Sequence, residues 1–206
     1  YDNLSQGSKS ALLHNEEVVV GDIRDKVSLA NLFSSHDIEV VIHLAALVNA
    51  AESVSKADLY HEVNAIGSQN VWEAAMNAGV KHILYASSAA VYGTPASVDP
   101  IKETAPTIPT NPYGESKLLG EQSLLDQSIN NYSYLSFRFF NVGGAEPTGT
   151  LGQSLESRAI MQRLFEHSIS GREPVVISGN DYDTLDGTVV RDFIHVEDIV
   201  SAIMIG

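Results

Sequence analysis

The chain alternates short apolar runs with longer stretches in which apolar residues return every three or four positions. Such runs predict strands, and such stretches predict amphipathic helices. Glu17–Asp22 reads as a short strand, and Lys26–His36 as a helix with Val27, Ala30, Leu32 and Phe33 as candidate core positions. Ile38–Leu44 reads as a buried strand, apolar enough to be covered on both faces. Leu59–Asn77 predicts a long helix closed by Ala78-Gly79. A strand at His82–Ala86 follows, then a loop rich in Pro and Thr from Thr94 to Thr110. A helix from Pro112 to about Ser128 and a strand at Tyr134–Phe140 complete the series. Strands separated by helices imply right-handed crossovers and an α/β fold with a doubly wound parallel sheet.

The pattern changes after Asn141. Val142–Thr150 reads as a loop, the region near Glu156–Ser170 as a helix, Val175–Ser178 as a short strand and Gly179–Gly187 as a polar connection. A domain transition is expected between Asn141 and Gly152, which divides the chain into 1–141 and 142–206, with 191–206 returning to the first core. A doubly wound nucleotide-binding domain opens with a strand, a glycine-rich turn and a helix N-terminus. This chain shows no such opening and starts where a second strand would end. The expected fold therefore lacks its first β-α unit and adds the start of a smaller substrate-binding domain. Both ends read as cut from a longer protein, or the missing parts as supplied from elsewhere.

Composition narrows the function. Hydrophobic residues make up 44% of the 206, a proportion of a folded domain. There is no cysteine, which excludes a disulfide framework, a thiolate metal site and a cysteine nucleophile. The net charge of −14 argues against a nucleic-acid surface but leaves room for an anionic small ligand in a locally positive pocket. No apolar run of about 18 residues predicts a membrane span, and the start is not a signal peptide, so a cytoplasmic location is expected. His43 lies within an apolar strand and reads as a core histidine, and the other histidines form no metal-binding pattern.

The candidate chemistry centres on Asn111-Pro112-Tyr113-Gly114-Glu115-Ser116-Lys117. Asn111 suits an N-cap and Pro112 the first helical position. Tyr113 and Lys117 then share one helix face, one turn apart. A nearby ammonium favours a phenolate, so the pair can take a proton from an alcohol when something else accepts the hydride. Upstream, Ala86-Ser87-Ser88-Ala89-Ala90-Val91-Tyr92-Gly93 follows an apolar strand. Ligands of open parallel sheets sit beyond the carboxyl ends of strands, so a serine placed there can hydrogen-bond the oxygen that Tyr113 deprotonates.

These residues resemble the extended short-chain dehydrogenase/reductase family, most closely its UDP-glucose (UDP-galactose) 4-epimerases. The longest likeness is Gly179-Asn180-Asp181-Tyr182-Asp183-Thr184-Leu185-Asp186-Gly187-Thr188-Val189-Val190-Arg191-Asp192-Phe193-Ile194-His195-Val196-Glu197-Asp198. The resemblance implies a Rossmann-like domain that binds NAD, a nucleotide-sugar substrate, and inversion at C4 of a UDP-hexose through a transient 4-keto sugar. Tyr113 would be the base, Lys117 its electrostatic partner and Ser88 the ligand of the substrate hydroxyl. Asp2 and Asn3 would contact the adenosine ribose, with the turn through Ser5 to Gly7 close by. Asp22 and Ile23 would flank the adenine. Leu44, Ala45 and Ala46 would line the cofactor crevice, Asn64 would contact it from its helix, and Phe140 would pack near the nicotinamide. Asn141 and Arg191 would bind the diphosphate. His195 reads as structural, with Asp198 capping the following helix. The two long helices would form a homodimer contact. The sequence departs from the family at Val48, where many members carry a lysine, at Ala90, and in Ser157–Met161. Ala89 and Ala90 cannot transfer protons, which disfavours the related 4,6-dehydratases; other nucleotide-sugar 4-epimerases and a non-catalytic cofactor-binding role stay open.

Overall fold

The computed structural model describes residues 1–12, 16–95, 97, 99–127, 132–154, 159–171, 174–177 and 179–206. The chain divides into two compact units, Tyr1–Phe139 and Phe140–Gly206.

The first unit is built on a parallel sheet of β1 (Val40–His43), β2 (His82–Ser88) and β3 (Ser133–Phe139), in that spatial order. Val40 pairs with His82, and His82 pairs with Ser133, so the three strands start level. Between them run α2 (Ala50–Ser55), α3 (Ala57–Tyr60), α4 (Ser68–Asn77) and α5 (Pro112–Gln127), and α1 (Lys26–Ser35) precedes β1. This is the doubly wound α/β arrangement that the alternating pattern predicts. Ser128, the expected end of α5, is outside the described set. A π-helical segment, His61–Gly67, joins α3 to α4, so 57–77 is one helix with a widened middle. Such widening commonly marks functional sites.

Local chemistry accounts for the helix starts. Asp25 caps α1 by accepting from the Val27 and Ser28 amides. Asn111 caps α5 as expected, its Oδ1 accepting from the Gly114 amide at 2.9 Å. The buried face of α1 is Leu29 and Phe33, with Leu32 packed beside them; Val27 is 71% exposed and Ala30 is also outside. The cap sets Val27 away from the sheet-facing side, which corrects the expected core positions. Leu29, Phe33, Val71, Trp72, Ala75, Ile83, Tyr85 and Leu124 form the core between helices and sheet. Gly93 takes φ 68°, and a Cβ there would overlap the Ile108 carbonyl. It therefore lets the chain leave the serine-bearing strand and fold the Pro/Thr loop close against its exit.

Other expectations need correction. The predicted strand at 17–22 amounts to one parallel bridge, Asp2 to Val20, made by the Asp2 amide on the Val19 carbonyl and the Gly21 amide on the Asp2 carbonyl. α2 has no counterpart in the pattern; Asn49 nucleates it by accepting from the Glu52 amide. β3 ends at Phe139 rather than Phe140.

In the second unit, β4 (Asn141–Gly143) pairs in parallel with β5 (Phe193–His195), although 142–150 reads as loop. The partner strand lies some fifty residues away, which no local pattern reveals. α6 (Ile160–Ser170) lies within the expected helix, whose earlier residues 156–158 are outside the described set. No strand forms at 174–177, and Ser178 is outside the described set. α7 (Val196–Ile205) is capped by His195, whose Nδ1 accepts from the Glu197 amide at 3.2 Å. Asp198 sits in its first turn and is not the cap. The carboxylate still faces the positive end of the helix.

Candidate functional site

The first unit contains a crevice of about 780 Å³, within the size range of small-molecule sites. Nine residues expected near a cofactor line it: Asp2, Asn3, Ser5, Gly7, Asp22, Ile23, Leu44, Ala45 and Ala46. Its floor is apolar, with Leu29, Phe33 and Val71, and β1 forms one wall. Asp2 Oδ1 accepts from the Leu4 amide at 2.6 Å, and Leu4 takes φ 57°. That turn bends the 3–7 segment around the mouth. A Cβ on Gly7 would come within 3.0 Å of the Asp2 carboxylate, so only glycine brings the backbone this close. Asn3 Nδ2 donates to Asp22 Oδ2 at 2.9 Å, which ties the two expected adenosine contacts together. The Arg24 guanidinium and amide hold the Asp22 carboxyl well below the usual carboxylate range.

The crevice runs to the carboxyl end of β1, where Leu44–Leu47 leave the sheet. One strand over, β2 ends on Ser88, so both features lie at the carboxyl edge of the sheet. Asn64 connects them. It is fully buried in the π segment, where its Oδ1 accepts from the Leu47 amide at 2.8 Å and its Nδ2 donates to the Leu47 carbonyl at 2.9 Å. The same Nδ2 lies 3.1 Å from Ser116 Oγ on α5. Asn64 does not line the crevice; it holds the loop that does.

Tyr113 is half-buried at the start of α5, next to Ser88. Its amide donates to Ser53 Oγ at 3.1 Å, and its ring meets Tyr60 edge-on with centroids 6.4 Å apart. Tyr60 is itself fixed, donating from its hydroxyl to the Asn49 carbonyl at 2.7 Å. Neither Ser53 nor Tyr60 stands out in the sequence; only the tertiary packing brings them to Tyr113.

Lys117 is 3% exposed. Its Nζ donates to the Ala86 carbonyl at 2.8 Å and sits 5.1 Å from the centre of the Tyr85 ring. Burial lowers its pKa to about 7. Burial also raises the Tyr113 phenol, while the Ser88 hydroxyl pulls the other way. The expected lowering of the phenol by Lys117 is therefore absent from this arrangement. The lysine is engaged with β2 rather than with the phenol, and its own charge is suppressed by desolvation.

His43 is buried between Trp72 and Tyr85, and its Nε2 lies 2.9 Å from Ser68 Oγ. Burial, with a contribution from Lys117, lowers its pKa to about 3, so it is a neutral packing residue. Among the described residues no group of three or more His, Asp or Glu is arranged to hold a metal, and no helix is long and apolar enough to cross a membrane.

Phe140, Asn141 and Arg191 belong to the second unit. Phe140 is 41% exposed. Asn141 Nδ2 donates to the Asp192 carbonyl at 2.9 Å, and Arg191 Nη1 donates to the Val190 carbonyl at 3.1 Å. Both side chains are thus held at the β4–β5 pair or its approach.

Comparison with known proteins adds a family. The model of the NAD dependent epimerase/dehydratase family matches residues 1–205. A UDP-glucose 4-epimerase of Halalkalibacterium halodurans is 41% identical over 204 residues, covering 98% of this chain and 60% of the relative. One from Azospirillum brasilense is 39% identical over 203 residues, covering 98% of this chain and 58% of the relative. A crystal structure of a UDP-glucose 4-epimerase superimposes with a TM-score of 0.92 at 37% identity, over 100% of this chain and 63% of that one. The enzyme from Brucella ovis in complex with NAD gives 0.88 at 36% identity, over 98% and 62%. This chain thus spans about three-fifths of the length of the curated relatives it matches.

Proposed function

We propose that this chain, which belongs to the NAD dependent epimerase/dehydratase family, provides the catalytic face and adenosine-side cofactor contacts of a UDP-hexose 4-epimerase. The observation that carries the reading is the convergence of a half-buried tyrosine, a strand-end serine and a crevice lined by Asp2, Asn3 and Asp22 along one sheet edge. Residues 1–141 would bind NAD, and 142–206 would form part of the sugar-nucleotide domain.

The crevice fits the cofactor chemically. Asp2 and Asn3 offer acceptors and donors suited to ribose hydroxyls, Gly7 permits close backbone approach, and Ile23 offers an apolar face to the adenine. Bound there, NAD⁺ supplies the hydride acceptor and a positive charge. With the phenol raised by burial, Tyr113 rests protonated at neutral pH. It becomes a base only when added positive charge favours the phenolate. Ser88 orients the sugar 4-hydroxyl, and Tyr113 Oη takes its proton as C4 is oxidised. The 4-keto sugar, tethered by its diphosphate, would turn its other face to receive the same hydride back at C4, and Tyr113 would return the proton to the 4-oxygen. Asn141 and Arg191 would hold that diphosphate, and Lys117 keeps the end of β2 fixed against α5.

Incubating the full-length protein with UDP-galactose and NAD⁺ and following UDP-glucose tests the reading. Interconversion is expected. Cofactor binding without interconversion would overturn the substrate assignment.

A further inference from the structure

Tyr113 and Lys117 are followed, four residues on, by Glu121. The three side chains occupy successive turns of one face of α5. Glu121 is nearly enclosed, with 11% of its side chain exposed. Two groups engage it. Ser87 Oγ donates a short hydrogen bond to Glu121 Oε1. Arg138 grips both carboxylate oxygens, with Nη2 at 2.7 Å from Oε2 and Nε at 3.0 Å from Oε1. Ser87 and Arg138 are register partners across β2 and β3, so their side chains leave the sheet on the same face, toward α5.

The remaining nitrogen of Arg138 reaches outward. Nη1 donates to Tyr92 Oη at 2.8 Å and to the Glu103 carbonyl at 3.0 Å. The guanidinium also lies 4.9 Å from the Tyr92 ring centre. One ion pair therefore ties α5 to the end of β2, to the short turn Ala89–Tyr92 and to the Pro/Thr loop. A forked arginine–carboxylate pair fixes direction as well as distance. The residue after Ser87 is Ser88, the proposed ligand of the sugar hydroxyl.

We propose that Glu121 and Arg138 are positioning residues that hold Ser87, so that Ser88 stays opposite Tyr113, and that act as a compensated pair to set the potential felt by the phenol. The inference rests on the reading of Tyr113 and Ser88 given above. An ion pair serving stability alone is exchangeable for apolar packing and has no reason to tune a phenol two turns away.

The groups around the triad are few. Facing Glu121 are Arg138 from β3 and Ser87 and Tyr85 from β2, and Arg138 in turn meets Tyr92 of the turn. Facing Lys117 are Tyr85 and the Ala86 carbonyl from β2 and His43 from β1. Facing Tyr113 are Ser88, Tyr60 and Tyr85. His43 is held neutral, burial pushes the phenols of Tyr85, Tyr60 and Tyr113 upward, and burial lowers Lys117 to about 7, so Lys117 titrates here near neutrality and Tyr113 joins it only when added positive charge favours the phenolate.

Eight residues of helix separate Glu121 from Tyr113 by about 12 Å. Removing the Arg138 charge leaves an uncompensated carboxylate, which disfavours the phenolate and raises its pKa. Removing the Glu121 charge leaves an uncompensated guanidinium, which lowers it. At that distance each change is expected to be about half a pH unit.

The test uses the full-length protein with NAD⁺ and UDP-galactose, measuring kcat/KM against pH. Arg138→Gln should move the acid limb up, Glu121→Gln should move it down, and the double variant should return it toward the parent value. Ser87→Ala should lower kcat about tenfold with the limb unmoved. Two single variants that shift the limb the same way, or leave it unmoved, would overturn the proposal. If Arg138→Gln does not fold, a limb unmoved in Glu121→Gln overturns it alone. Absence of turnover in the parent protein would defeat the epimerase reading instead. The same opposed shifts are then read from ultraviolet titration of the Tyr113 phenol, using Tyr113→Phe as the blank, and their absence there refutes the pair's role.

Discussion

The two units of the chain differ in how they are held together. Every buried side chain among the described residues lies in Tyr1–Phe139, except Ile199. Among its described residues the second unit carries two strands of three residues each and many exposed apolar side chains, including Ile169, Ile177 and Met204. Yet the longest likeness to a family, Gly179–Asp198, falls in this second unit, and most of it is turn or irregular chain. The first unit holds the short and chemically ambiguous Tyr113–Lys117 spacing inside dense packing. The length of a family likeness and the density of packing around it are therefore separate properties of this chain.

The largest expected contrast is catalytic. Tyr113→Phe in the full-length protein should cut turnover about a thousandfold while circular dichroism stays unchanged. Arg191→Met in the second unit should instead raise KM for the sugar nucleotide with kcat little altered. Steady-state kinetics separates the two, and retained turnover in Tyr113→Phe would remove it from the mechanism.

Stability should divide the units next. Trp72 is fully buried, and Trp72→Ala should lower the unfolding free energy by about 3–5 kcal/mol. Ile169 is 85% exposed, and Ile169→Ala should stay within about 0.5 kcal/mol. Urea titrations of the two variants give the comparison directly.

The first unit should also dominate the pH dependence of stability. His43 falls from its ordinary 6.5 to about 3 on folding, so the unfolded chain binds the extra proton between those values. Stability therefore rises with pH across that window and is lost as pH falls through it. Lys117, lowered from 10.5 to about 7, acts in the same direction between about pH 7 and 10.5. His43→Gln should flatten the acid-side slope in denaturant melts, and an unchanged slope would show that His43 is not the group responsible.

The smallest contrast concerns helix starts. Asp25 accepts two amides, and Asp25→Ala should cost about 1 kcal/mol. Asp198 is in the first turn of α7 without capping it, so Asp198→Ala should cost only about 0.3–0.5 kcal/mol in the same assay.

Much of this is legible in the chain, for reasons that vary by element. β2 and α5 combine strong periodicity with close packing, and both are readable to within a few residues. The Glu17–Val20 neighbourhood misleads: Val18, Val19 and Val20 look like a strand, but the structure gives them a single bridge. β4 is hidden because Asn141-Val142-Gly143 has no strand pattern of its own and depends on Phe193–His195. Asp198 looks like a cap by residue type, but His195 reaches the amide first because it stands one residue before the helix.

Spacing along one element is enough to put Tyr113, Lys117 and Glu121 on a single face, because helix geometry is local. What those groups meet is decided by the sheet order. Lys117 finds the Ala86 carbonyl thirty-one residues away, Tyr113 finds Ser53 at sixty, and Asn64 finds Ser116 at fifty-two. Such encounters depend on which strand lies beside which, and neighbouring residues carry no record of that.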